Sequence, residues 1–193
     1  MTDTESAGPE ALFNRQAERN DWPTRADSTL SFQNENFAQL VRLWQGKMRG
    51  AELPRRSDFT ARELKRVLRN LIFFERVGES EQARWRVRFI GSGVAAVTGD
   101  MTGHFLDEFI PAELYPRWHA ALGAIFAARR PIRFLGRIDI WDQQHIAAEI
   151  FAAPLAGAGA TPAMAMATFR FHAAVPPRED AVDMRALALV NAR

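Results

Sequence analysis

The chain has 193 residues, 47% apolar and 25% charged, which suits one folded domain with extensions and excludes a fibrous or wholly disordered chain. It contains no cysteine, so disulfides, thiolate metal sites, a cysteine nucleophile and any cofactor adduct through a thiol are excluded. Lys and Arg number 25 against 23 Asp and Glu, and the pI of about 9.6 is high only because all the bases except Lys47 and Lys65 are arginines, which stay protonated; it makes no case for nucleic acid.

Residues 1–10 are polar and acidic, unlike a secretory signal, and the longest apolar run, 120–128, is about half a membrane span. The expectation is a soluble, cytoplasmic protein that engages neither membrane nor nucleic acid. Residues 1–33 read as a mobile arm with a short helix at 9–19 around Leu12 and Phe13. Phe37, Leu40, Val41, Trp44 and Met48 then form the stripe of an amphipathic helix over 35–49, stopped by Gly50. After the extended run Leu53-Pro54-Arg55-Arg56-Ser57-Asp58, Thr60 and Glu63 form a capping box for a helix to about Leu71. Its apolar side is Leu64, Val67, Leu68 and Leu71; its basic side is Arg62, Lys65, Arg66 and Arg69.

Residues 72–77 and 85–90 read as a hairpin, and 91–103 as a glycine-punctuated crossover with a short helical turn near Val94. The clearest long helix runs over 111–130, with Trp118, Leu122, Ile125 and Phe126 on one side. Strands follow at 132–141, 146–153 and 163–173, and a short helix is expected over 179–191. This order predicts an α+β domain over 34–174 and a tail over 175–193. The domain is one five-stranded antiparallel sheet with the long helix on its inner face and the 35–49 helix on its outer face.

Alternation assigns Trp85, Val87, Phe89, Phe134, Ile138, Ile140, Ile150, Ala165, Ala167, Phe169 and Phe171 to the inner face. Small residues among these aromatics mean either close packing, the commoner case, or a cavity. The cavity candidates are Phe89, Val94, Trp118, Leu122, Phe126, Phe134, Ile138, Ile150 and Phe169. The outer face gets Leu135, Trp141, Phe151, Met164 and Met166, too apolar to be left open, beside Arg86 and Arg88.

The run 53–58, then Arg86-x-Arg88-x-x-Gly91-Ser92 and Thr98-Gly99-Asp100-Met101-Thr102-Gly103, preceded by Trp44, resembles a bacterial PAS-like family long catalogued as a domain of unknown function, over residues 37–172. Val87 and Ser92 depart from that family's usual tyrosine and threonine. The resemblance implies a PAS fold and a regulatory role through a small ligand, a signalling partner protein, or both, commonly as a homodimer. It also draws attention to His119, since haem-binding PAS sensors carry their proximal histidine on the equivalent helix.

Other motifs read as architecture. Gly91-Ser92-Gly93-Val94-Ala95-Ala96 mimics a dinucleotide fingerprint, but Gly99 cuts its helix short and no parallel strand follows. No pair among His104, His119, His145 and His172 has zinc-site spacing. The basic side of 60–71 reads as a solvated face. Arg55, Arg56, Asp58, Arg86 and Arg88 are expected to clamp the 53–58 run to the sheet, with Trp44 and Trp141 as partner-facing or structural residues. No hydrolase or kinase signature occurs. The expected function is a stand-alone sensory module without catalytic output and without a bound cofactor. The alternatives are a haem sensor through His119 and a small-molecule enzyme using Glu149 or Asp139.

Overall fold

Asn34, extended and just ahead of the amphipathic stripe, accepts the N–H of Asn36 and so starts a helix that carries Phe37, Leu40, Val41 and Trp44 into the interior. The structure, a computed structural model, describes residues 7–78, 82–140, 144–157 and 162–172. Its elements are α1 (Pro9–Arg19), β1 (Thr24–Asp27), α2 (Glu35–Gly46), α3 (Ala61–Leu64), β2 (Leu71–Val77), β3 (Arg84–Ile90), α4 (Ser92–Thr98), α5 (Tyr115–Ala128), β4 (Ile132–Ile140), β5 (Gln144–Ala156) and β6 (Pro162–Phe171). The strands form one antiparallel sheet in the order β1-β4-β5-β6-β2-β3. No helix among the described residues is long and apolar enough to cross a membrane.

The sheet is buried on both sides. On the inner face Phe74, Trp85, Val87, Phe134, Ala167 and Phe169 pack against Leu122, Ile125 and Phe126 of α5 and Phe13 of α1. On the outer face Phe73, Phe151, Leu155 and Met166 pack under α2 and under Leu64 and Val67. Each such side chain, withdrawn from water, contributes about 1.5–3 kcal/mol. The expected two-roofed sheet is therefore present, and Trp44 is only 3% exposed.

Four expectations need correction. Residues 9–27 are not a free arm: α1 forms as expected, but it lies against α5, and β1 adds a sixth strand beside β4. Two side chains make that short polar strand viable. The Asn14 amide accepts from Ala26 N–H at 2.8 Å and donates to Ala26 O at 2.9 Å, satisfying the outer edge. Gly136 of β4 gives way to the incoming chain, since a Cβ there would strike Pro23 O.

The helix expected to reach Leu71 stops after one capped turn. Thr60 and Glu63 do form their reciprocal cap. The chain then tightens into a 3-10 turn at Leu68–Asn70 to deliver Leu71 to β2, packed so closely on Gly91 that any side chain there would meet the carbonyls of Leu68 and Arg69.

Phe89 lies on the outer face, not the inner one. The pairing of β2 with β3 shifts between Phe73 and Phe74, so Phe74 faces Val87 and Phe73 faces Phe89, skipping Arg88. The bulge reverses the alternation, and Phe89 packs on Phe73 with ring centroids 6.1 Å apart.

The arginine clamp is also rearranged. Arg86 and Arg88 do not reach Asp58 or Glu63; they flank Glu75 on β2 at 3.9 and 3.5 Å, Arg88 in solvent and Arg86 half-buried. Asp58 instead accepts the N–H of Arg55, and Arg56 lies 4.5 Å from the Phe73 ring centroid while donating to Phe59 O. Cross-strand proximity explains the exchange, because Glu75 and Arg86 are directly paired. The tail and Trp141 lie outside the described residues, as do the side chains of Ile138, Asp139 and Ile140.

Candidate functional site

Trp118 enters the inner layer from the first turn of α5, 6.0 Å from the Phe169 ring. It stands between two cavities. One, about 40 Å³, is lined by Leu122, Phe134, Ile150, Ala152 and Ala167, with Thr24, Arg117 and Arg137 at its border. The other, about 30 Å³, is lined by Val94, Met101, Leu106, Phe169 and Phe171. Trp118 and Phe74 border both. Each space admits a water or two and nothing larger, so a ligand here needs the tryptophan to move.

The expected cavity residues are therefore divided. Val94, Trp118, Leu122, Phe134, Ile150 and Phe169 surround these two spaces. Phe126 lies one layer away, packed edge-on against Trp85 at 5.1 Å, and lines a separate groove on the flank of α5. Phe89 is on the other face of the sheet.

His119 sits beside Trp85, whose indole N–H donates to His119 Nδ1 at 3.1 Å, with the Tyr115 hydroxyl 3.4 Å from the same nitrogen. An indole nitrogen can only donate, so Nδ1 is the acceptor and the imidazole proton sits on Nε2. Axial ligation through Nε2 needs that nitrogen bare, and moving the proton to Nδ1 would set two N–H groups against each other. The donor set at His119 does not fit a haem iron. Burial, with a smaller push from the Asp107 carboxylate and against the pull of Arg84, raises the Tyr115 phenol, so it remains a donor at neutral pH.

A polar network that alternation did not single out lies under the outer roof. Arg133 of β4 places Nε and Nη2 each 2.8 Å from Glu149 Oε1, and its Nη1 2.8 Å from Asp27 Oδ2. Gln33 N–H donates to the same Glu149 oxygen at 3.1 Å. Glu149 is fully buried and Arg133 is 6% exposed, under the ring of Phe32. The signal was available: Arg133 and Glu149 share the odd-numbered phase of Leu135 and Phe151, the outer one. Burial alone would raise Asp27, but the bonds from Thr29 and Arg133 win and hold its carboxyl below the usual range. Glu149 lines none of the cavities described above.

Arg62, Lys65, Arg66 and Arg69 are all exposed; Arg66 donates to Gln39 Oε1 at 3.2 Å. Among the described residues no cluster of three or more His, Asp or Glu could hold a metal ion.

A family model described as a PAS domain matches residues 32–169. Among solved structures the chain is similar to the LOV protein of Rhodobacter sphaeroides, at 10% identity over 82% of this chain and 79% of that one, TM-score 0.40. It is also similar to the light state of the blue-light photoreceptor Aureochrome1 LOV, at 13% identity over 69% of this chain and 97% of that one, TM-score 0.38. Likenesses this remote carry neither a ligand nor a photochemistry across. Among curated proteins there is no match.

Proposed function

The chain belongs to the PAS domain family, and from that premise we propose that it is a regulatory module without catalytic output. It admits a small apolar molecule beside Trp118 and reports the occupancy to a protein partner through α2, working as a homodimer. One observation carries the reading. Phe74 borders both spaces beside Trp118, while Phe73, the preceding residue, is buried in the opposite core with Met166 and Leu64, both of which belong to the cluster under α2. A ligand that turns Trp118 aside presses on β2 opposite the bulge at Arg88 of β3, where the pairing is irregular, and Phe73 moves with it. Nearly all polar atoms are kept out of this layer, so the molecule it favours is apolar and no larger than a few rings.

Native mass spectrometry of protein purified from its own host tests this, since it counts copies, small molecules and partners together. The expected species is a dimer carrying a co-purifying small molecule. Protein that is ligand-free in every charge state would remove the sensing half of the reading.

A further inference from the structure

The flank of α5 that faces away from the two inner spaces is a groove of about 340 Å³, bordered by Arg76, Ala83, Trp85, His119, Gly123 and Arg129, with Phe126 and Ala127 completing its walls. We propose that this groove binds a compact organic anion, a flat apolar body carrying a carboxylate or phosphate. The site is independent of the one beside Trp118 and stands whether or not that one is ever filled.

Three features point to such a ligand. First, among the described residues neither cation on the border is paired with a carboxylate. Among the described residues Arg76 has its guanidinium 5.8 Å from the Phe126 ring centroid and no acidic partner, and Arg129 makes one long bond, 3.4 Å, to Ala51 O. Elsewhere in the same molecule arginines near acids do pair, as Arg84 does with Asp107 and Glu108 and Arg130 with Glu10. Guanidinium groups present several donors in a plane suited to carboxylate or phosphate.

Second, the floor is aromatic and rigid. Trp85 is held by its bond to His119 and by the edge-on contact with Phe126, and Trp85 is only 2% exposed. Third, the helix side of the groove is kept empty. A Cβ built on Gly123 would meet nothing within 4 Å, although glycine in a helix interior costs about 1 kcal/mol relative to alanine. Arg129, which ends the helix, holds a left-handed backbone with φ 51°, a conformation that favours glycine. A residue without a side chain in mid-helix and a long cation where glycine belongs both go against helix stability, and both serve the groove. The volume is at the lower end of small-molecule sites, which sets the ligand at about one ring with its charged group.

Calorimetric titration of the full chain with phenyl phosphate, benzoate and the neutral benzyl alcohol tests the assignment. At least one of the two anions is expected to bind saturably with one-to-one stoichiometry and to weaken with added salt, and benzyl alcohol is expected not to bind. Gly123→Leu, whose side chain starts in open space and suits a helix, should melt no lower than the native chain yet lose affinity by about ten-fold or more, about 1.4 kcal/mol. Arg76→Gln should lose a similar factor. If Gly123→Leu does not fold, Ala127→Leu, on the exposed side of the same wall, takes its place. No saturable anion binding, equal binding of benzyl alcohol, or affinity unchanged in the groove-filling variant would each overturn the proposal.

Discussion

Phe73 and Phe74 are adjacent in sequence and belong to opposite cores: Phe74 borders the spaces on either side of Trp118, and Phe73 is buried beneath Arg56 and beside Phe89 on the outer face. In an ordinary strand this is only alternation. Here the neighbouring strand β3 carries an extra residue, Arg88, opposite the step between them, so the β2–β3 ladder is irregular at that point while the β2–β6 ladder runs through it unbroken. Deleting Arg88 removes the extra residue and leaves Phe89 directly after the inward Val87, so Phe89 should stay on the outer face with its contact to Phe73 intact in proton NMR; loss of that contact would mean that the bulge itself holds Phe89 there.

The outer roof is fastened by Trp44. Its indole N–H donates to Pro154 O at 3.0 Å, at a point where β5 has run past the end of its pairing with β4, so the missing N–H of the proline costs no ladder bond. Trp44→Ala is expected to cost about 3–5 kcal/mol in urea unfolding, and Trp44→Phe, which keeps most of the packing and loses the hydrogen bond, about 1–2 kcal/mol. No loss in Trp44→Phe would mean that the hydrogen bond contributes nothing, and equal losses for the two would mean that the packing of the ring does not.

Arg133 and Glu149 form a buried pair, so a single change leaves the other charge stranded. Glu149→Leu or Arg133→Met alone should each cost about 3–5 kcal/mol, and the double variant far less than their sum. A double-mutant cycle by denaturant unfolding reads the coupling directly; additive losses would contradict it.

Glu63 gives a pH prediction. Bonds from Lys47 and from the Thr60 backbone and hydroxyl hold its carboxyl down, from 4.5 to about 2. A depressed folded value means that the cap's contribution is fully present above about 4.5 and disappears as pH falls toward 2. Carbon NMR of the Glu63 carboxyl should find its midpoint near that value, and Lys47→Ala should move it upward. An ordinary midpoint in the native chain would show that the cap and the 2.7 Å ion pair do not persist in solution.

Gly136 lies where β1 crosses β4. Gly136→Val should detach β1 and α1 while leaving the five remaining strands folded, which limited proteolysis near residues 20–30 would report as faster cleavage. Unchanged protection would mean that β1 does not need the bare backbone.

Much of this architecture was legible in the residues, because period and phase report burial directly. The stripe Phe37–Leu40–Val41–Trp44 needed a surface to cover, and the apolar outer positions of β5 and β6 supplied one. What was missed depends on contacts that no local pattern encodes. Thr24–Asp27, polar except for Ala26, becomes a strand only because Asn14 and Gly136 accommodate it from afar. Phe89 was misplaced because a bulge changes parity without changing composition. The groove on α5 went unseen because Gly123 reads as a weak helix position until its empty surroundings are known.

The most direct test of communication between the two cores uses Trp118→Ala, which joins the inner spaces into an apolar cavity of the kind that takes up a small aromatic molecule. Indole is expected to bind it and raise its melting temperature, and backbone hydrogen exchange over α2, on the far side of the sheet, is expected to change when indole binds. Indole that stabilises the variant while exchange throughout α2 stays the same would contradict the account.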